Sequence, residues 1–130
     1  MNPGIKGYGE IVVTQELTAM NIGSGLLPVY ATPMMIALIE NTAAGSVLPE
    51  LEAGQGTVGT KVDVAHLSAT PIGMRVRVET ELTEVDRRRL VFAVRAWDEA
   101  GLIGEGTHER FIVDNEKFMR KAAAKQSQLP

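Results

Sequence analysis

An α+β fold, with an antiparallel sheet wrapped around one long central helix, follows from three observations on the sequence. A strand-like segment opens the chain. One helix of almost unbroken apolarity comes next. Four strand-like segments then run one after another, separated only by short turns. A helix that is apolar all round is buried on most of its sides. A sheet wrapped around that helix supplies the burial.

The elements are justified in order. Residues 10–19, from Glu10 to Ala19, carry β-branched residues in partial alternation and predict the first strand. Residues 20–29 contain Gly23, Gly25 and Pro28 and predict a loop or short irregular helix. Thr32-Pro33 then predicts a helix start, with Thr32 as N-cap and Pro33 at the first helical position. Gly45 predicts its stop. Residues 47–56 form a Pro/Gly/Glu loop, and residues 57–68 a strand. Thr70-Pro71-Ile72-Gly73 marks a turn. Residues 74–85 alternate Met74, Val76, Val78, Thr80 and Leu82 against Arg75, Arg77, Glu79, Glu81 and Thr83, the pattern of a half-buried antiparallel strand. Asp86-Arg87-Arg88 reads as a polar turn, residues 89–97 and 102–113 as two further strands, and Asn115 to Lys125 as a short basic helix, with the last five residues of the chain expected to fray. Strand, buried helix and four sequential strands are the arrangement of the hot-dog fold. Its exposed edges and faces predict a homodimer or higher homo-oligomer.

Composition narrows the function. At 130 residues the chain is expected to form one domain, 1–130. Its net charge of −3 supplies no basic field, so nucleic acid is not an expected partner. Without cysteine there is no disulfide, no thiolate metal site and no cysteine nucleophile. Two histidines with no HxxxH or His-x-Glu spacing predict no metal site, and no other cofactor motif is present. The N-terminal residues lack a signal-peptide pattern, and no apolar run reaches the roughly 20 residues of a membrane helix. A cytoplasmic protein without a membrane partner is the expectation.

Three polar residues stand where chemistry is plausible: Thr32, Glu40 and His66. On an alternating strand, Val58, Val62, Val64 and His66 share a face, with Lys61 and Asp63 opposite. An imidazole among valines is either a satisfied core residue or an acid-base group. Glu40 ends the run Met34-Met35-Ile36-Ala37-Leu38-Ile39. It is either a carboxylate on an exposed stripe or a buried one whose pKa tends upward, as suits a general base. Thr32 is a structural N-cap, or marks a helix N-terminus whose free N–H groups suit an oxyanion. Gly59 inside a β-rich run reads as a bulge or a close backbone approach. Arg75 with Arg77, Arg87 to Arg89, and His108 with Arg110 are the basic groups available to a phosphate-bearing ligand, or else scattered surface charge.

Read together, several segments resemble a known family. Tyr30-Ala31-Thr32 opens the helix, and Glu40 follows eight residues later. Gly59-Thr60 comes next, then His66 with Ser68-Ala69-Thr70-Pro71-Ile72-Gly73, Arg88-Arg89-Leu90, and Gly104-Glu105-Gly106-Thr107-His108-Glu109-Arg110. In order and spacing, from about residue 28 to about 118, these resemble the hot-dog thioesterases related to fluoroacetyl-CoA thioesterase. The resemblance implies catalytic Thr32, Glu40 and His66, and substrate contacts at Gly59 and Arg110. Asn21 to Leu27 contains no aromatic residue, whereas the fluoroacetyl specialists have aromatic gate residues there. Selectivity for a fluorinated acyl group is therefore not implied.

The expected function is hydrolysis of a small acyl-CoA to free acid and CoA. The alternative is a hot-dog protein that binds acyl-CoA without cleaving it, since fold alone does not separate the two. A dehydratase-like activity is disfavoured by the placement of the histidine and the acid. Eight helical residues span about 12 Å, so Thr32 and Glu40 need not meet within one subunit.

Overall fold

Two glycines decide where the sheet begins. In the computed structural model, which describes residues 1–130, the first strand β1 is Lys6–Val12 rather than residues 10–19. A Cβ on Gly7 would lie 2.9 Å from both the Ser46 Cβ and the Thr42 carbonyl oxygen, and one on Gly9 would overlap the Thr42 hydroxyl. The central helix lies directly on this backbone, so residues that read as strand breakers are the ones the strand needs. Leu17, within the expected strand, belongs instead to a 3-10 turn, Gln15–Leu17, followed by the short helix α1, Ala19–Ile22.

The central helix α2 is Thr32–Val47. Met35, Ile39, Thr42, Ala43 and Val47 form its buried stripe, at the spacing expected of one helix face. Ala37, Asn41 and Gly45 on the other side are exposed. The sheet of a single chain therefore covers one face of the helix, not most of its sides. Gly45 does not end the helix. Its left-handed option is not used, and the helix runs on to Val47, where a 3-10 turn, Leu48–Glu50, takes over; Pro49 in that turn has no N–H to extend the α-helical ladder.

Strands β2 (Gln55–His66), β3 (Arg75–Asp86), β4 (Arg89–Asp98) and β5 (Gly101–Asp114) complete one sheet in the order β1-β3-β4-β5-β2, every neighbouring pair antiparallel. The long connection from β2 to β3 sends β2 to the far edge, beyond β5. The two-residue turn Arg87-Arg88 joins β3 to β4, with Arg87 in the left-handed region at φ 57°. Helix α3, Asn115–Ala123, follows directly on β5, and a 3-10 segment, Ala124–Gln128, follows it.

The core is a cluster of 14 buried apolar residues. Met35, Ile39, Ala43 and Val47 of α2 meet Val76, Val78 and Leu82 of β3, Leu90, Phe92, Val94 and Ala96 of β4, and Ile103 of β5. Truncating Met35 or Ile39 to alanine is expected to cost about 2–5 kcal/mol. No helix is long and apolar enough to cross a membrane.

One irregularity changes the reading of β2. The register with β5 pairs Gly59 with Arg110 but Lys61 with Glu109, so Thr60 is an extra residue in a bulge. Side-chain parity inverts there. Val62, Val64 and His66 face the helix side with His108, while Val58 pairs with Phe111 on the outer face. The expected shared face thus holds for Val62, Val64 and His66 and fails for Val58.

Candidate active site

The first residue of α2 and the last of β2 meet. Thr32 Oγ1 lies 2.7 Å from His66 Nδ1. Thr32 is not the N-cap: Ala31 holds that position and makes no side-chain cap bond. The hydroxyl that would have capped the helix is committed to the imidazole instead. His66 is half-buried and sits opposite Gly104 in the ladder, and Met35 packs over that glycine at 2.9 Å from an added Cβ. Burial holds the imidazole below its ordinary value, and the Ser68 backbone attenuates that fall. His66 Nε2 is buried and makes no hydrogen bond. Thr32 and His66 line a cavity of about 540 Å³ together with Ala19, Val29, Tyr30 and Ser68.

A second cluster lies two turns further along α2. Glu40 is partly exposed, and its Oε2 accepts from Arg110 Nη1 at 3.4 Å. Arg110 is buried, with its side chain only 9% exposed against 39% for Glu40. Its Nε donates to Thr57 Oγ1 at 2.8 Å and its Nη2 to the Thr57 carbonyl at 3.0 Å. Burial pulls the guanidinium below its ordinary value and Glu40 opposes this. Gly59 forms the floor: a Cβ there would stand 2.6 Å from Glu40 Oε2 and 3.3 Å from Arg110 Nη1. The glycine is a close approach as well as a neighbour of the bulge, and the approach is to the carboxylate.

Of the five expected site residues, the structure brings together Thr32 with His66, and Glu40 with Gly59 and Arg110. It does not bring the two groups together within one chain. His108 and Thr57 are additional members that the sequence reading did not assign. The sequence offers His108 and Arg110 as groups for a phosphate-bearing ligand or as surface charge, and the structure buries both. The available signal was strict alternation: Gly104, Gly106, His108 and Arg110 share one face of β5, and that face is the covered one. Among the other basic groups, Arg75 pairs with Glu10, Arg77 lies over the Trp97 ring at 4.9 Å, and Arg89 pairs with Glu84 and Glu109. No group of three or more acidic or imidazole side chains lies close enough to hold a metal ion. A larger groove of about 800 Å³ on the outer sheet face, between Tyr8, Glu79, Arg95 and Trp97, contains none of these residues.

Residues 13–116 match the family model described as fluoroacetyl-CoA-specific thioesterase. The chain belongs to that family. It is accordingly a hot-dog thioesterase. The fluoroacetyl-CoA thioesterase of Streptantibioticus cattleyicolor is 43% identical over 97 residues, which cover 75% of this chain and 70% of that protein. A crystal structure of the fluoroacetyl-CoA thioesterase FlK superimposes with a TM-score of 0.91 at 34% identity, covering 100% of this chain and 98% of that one. A thioesterase-superfamily protein from Thermus thermophilus superimposes with a TM-score of 0.90 at 32% identity, covering 98% and 94% of the two chains.

Proposed function

We propose that this family member hydrolyses a small acyl-CoA thioester to the free acid and CoA, using Thr32, Glu40 and His66, with Gly59 and Arg110 against the substrate. The observation that carries this reading is the Thr32–His66 pair, with its unpaired Nε2 beside a cavity. When the Thr32 hydroxyl donates to Nδ1, the imidazole is the Nε2–H tautomer. That N–H is then free to donate to the thioester carbonyl as it becomes an oxyanion. Glu40 acts on the carbonyl carbon, as a nucleophile forming an anhydride or as the base that takes a proton from the attacking water. On the base route the C–S bond then breaks and CoA leaves as a thiolate that takes up that proton. On the nucleophile route C–S cleavage gives the anhydride and the CoA thiolate, and water then opens the anhydride, freeing the acid and Glu40 and protonating the thiolate. A crystallised variant of the fluoroacetyl-CoA-specific thioesterase FlK, 36% identical to this chain, holds fluoroacetate and CoA, which supports the ligand class.

The two clusters are completed across a homodimer in this reading. β2 is a 12-residue edge strand with Val62 exposed, an open template for pairing. Two β2 strands paired antiparallel about an axis through Asp63, with the Thr60 bulge taking up one residue, set His66 opposite the partner's Gly59. Both residues project to the helix side, and Glu40 stands over Gly59. The partner's Glu40 thereby reaches the Thr32–His66 pair.

Release of free thiol from a panel of short and medium acyl-CoAs tests the reading, with wild type beside Glu40→Gln and His66→Ala. Hydrolysis by wild type and its loss in both folded variants is the expected result. A folded wild type that binds acyl-CoA and releases no thiol overturns it in favour of a binding protein. Single turnover in ¹⁸O water separates the two roles of Glu40. An anhydride opened at the Glu40 carbonyl leaves label in the enzyme carboxylate, whereas base catalysis places it only in the released acid.

A further inference from the structure

A fully buried imidazole costs free energy unless its polar atoms are paired. His108 is 0% exposed and both its nitrogens are paired. Nδ1 lies 2.8 Å from the Lys61 carbonyl oxygen and Nε2 lies 3.1 Å from Arg110 Nη1. A carbonyl only accepts and a guanidinium only donates. His108 is therefore the neutral Nδ1–H tautomer, donating to Lys61 and accepting from Arg110. The opposite tautomer would set lone pair against lone pair at Lys61 and N–H against N–H at Arg110. Its ring is stacked on Phe92, centroids 6.2 Å apart, so its direction is fixed from three sides.

A core histidine that served packing alone would have no need to spend its acceptor on an active-site guanidinium. Arg110 Nη1 carries two hydrogens, one for His108 Nε2 and one for Glu40 Oε2. With Thr57 holding Nε and Nη2, the plane of the guanidinium is fully determined. The point of convergence is Gly59, where an added Cβ would stand 3.3 Å from His108 Cε1 and from Arg110 Nη1, and 2.6 Å from Glu40 Oε2. Lys61 is the first residue beyond the Thr60 bulge, so the irregularity in β2 also carries the carbonyl that anchors the imidazole.

We infer that His108 is a positioning residue: anchored on the Lys61 carbonyl, its Nε2 lone pair fixes the Arg110 guanidinium so that Nη1 faces Glu40. Only the kinetic part of this inference rests on the thioesterase reading.

Long-range ¹H–¹⁵N spectra of the wild-type protein test the geometry without a variant. The expected result is the neutral Nδ1–H tautomer of His108 and slowly exchanging Arg110 side-chain N–H signals. His108→Phe keeps the ring and its stacking on Phe92 but has no lone pair. It is expected to average the Arg110 signals and to lower kcat at least about tenfold, with KM changed less than about threefold. His108→Gln returns an acceptor oxygen and is expected to recover part of the loss. An Nε2–H tautomer or an imidazolium in wild type overturns the inference. So does a folded His108→Phe protein with wild-type kcat and unchanged Arg110 signals. If His108→Phe does not fold, the wild-type tautomer and the His108→Gln kinetics decide. A wild type that releases no thiol overturns the thioesterase reading instead, and the tautomer and Arg110 signals still decide the positioning role.

Discussion

Thr32 Oγ1 lies 2.7 Å from His66 Nδ1, joining the first residue of the central helix to the last residue of the edge strand. The pair is built from two chain ends of secondary structure rather than from one motif. Thr32 is an exposed residue that contributes little packing, so the hydroxyl is the part of it that the proposed chemistry would use. Thr32→Val keeps the shape and removes the hydrogen bond. The expected outcome is a fall in turnover of about tenfold or more, with stability changed by about 1 kcal/mol or less. Thiol release and urea unfolding, run on the same preparations, check both halves. Thr32→Ser restores a hydroxyl and is expected to retain most of the activity.

Gly59→Ala tests the second cluster. The new Cβ would meet Glu40 Oε2 at 2.6 Å, and that carboxylate is the far end of a flexible side chain. Gly59 is not among the glycines of positive φ, so alanine meets no backbone penalty. The fold is therefore expected to survive, with a melting temperature near that of wild type, while the displaced carboxylate lowers kcat about tenfold or more. A variant with unimpaired turnover would show that the approach of Glu40 to Gly59 is not used.

Acid should destabilise the protein through its two histidines. Burial is the largest influence on both His66 and His108 and holds each below the ordinary value of 6.5. Arg110 adds to the fall at His108, while the Lys61 carbonyl, Glu40 and Glu109 oppose it. The folded state thus binds fewer protons than the unfolded chain just below pH 6.5, and stability rises with pH in that window. Well above pH 6.5 both states hold neutral imidazoles and this contribution is flat. Denaturant midpoints measured at pH 7.5 and at pH values stepped below 6.5 are expected to fall on acidification. The fall should be smaller in His108→Phe, which has no imidazole to protonate at that position.

The sequence made the architecture readable because strand alternation and helix apolarity are properties of neighbouring residues. Val76, Val78 and Leu82 announce a covered face, and that face is buried. It also singled out Thr32, Glu40 and His66, since polar groups in apolar segments stand out without coordinates. What it did not carry was contact between distant elements. Gly7 and Gly9 look like breakers until the helix is laid across them. Val58 changes face because one extra residue, Thr60, enters β2, and nothing local to Thr60 marks the bulge beyond its glycine neighbour. His108 reads as surface charge because the partners that bury it, Lys61, Phe92 and Arg110, come from three strands.

The separation of Thr32–His66 from Glu40 within one chain makes a prediction about mixtures. Glu40 follows Thr32 by eight residues along α2, a rise of about 12 Å, and no hydrogen bond links the two clusters. If each site takes its Thr32–His66 pair from one subunit and Glu40 from the other, two inactive proteins can complement. Glu40→Gln supplies an intact Thr32–His66 pair, and His66→Ala supplies an intact Glu40. Unfolding the two together in equal amounts and refolding them lets half the dimers form as mixed pairs. Each mixed dimer holds one wild-type site and one that lacks both groups. Activity is then expected to return to about a quarter of the wild-type level, since half the dimers carry one working site of two. Thiol release from the co-refolded mixture, beside each variant refolded alone, measures this directly. Light scattering of the same samples is expected to give the mass of two or more chains. A dimer that gains no activity on mixing would place each complete site within a single chain, and a monomer would remove the shared site altogether.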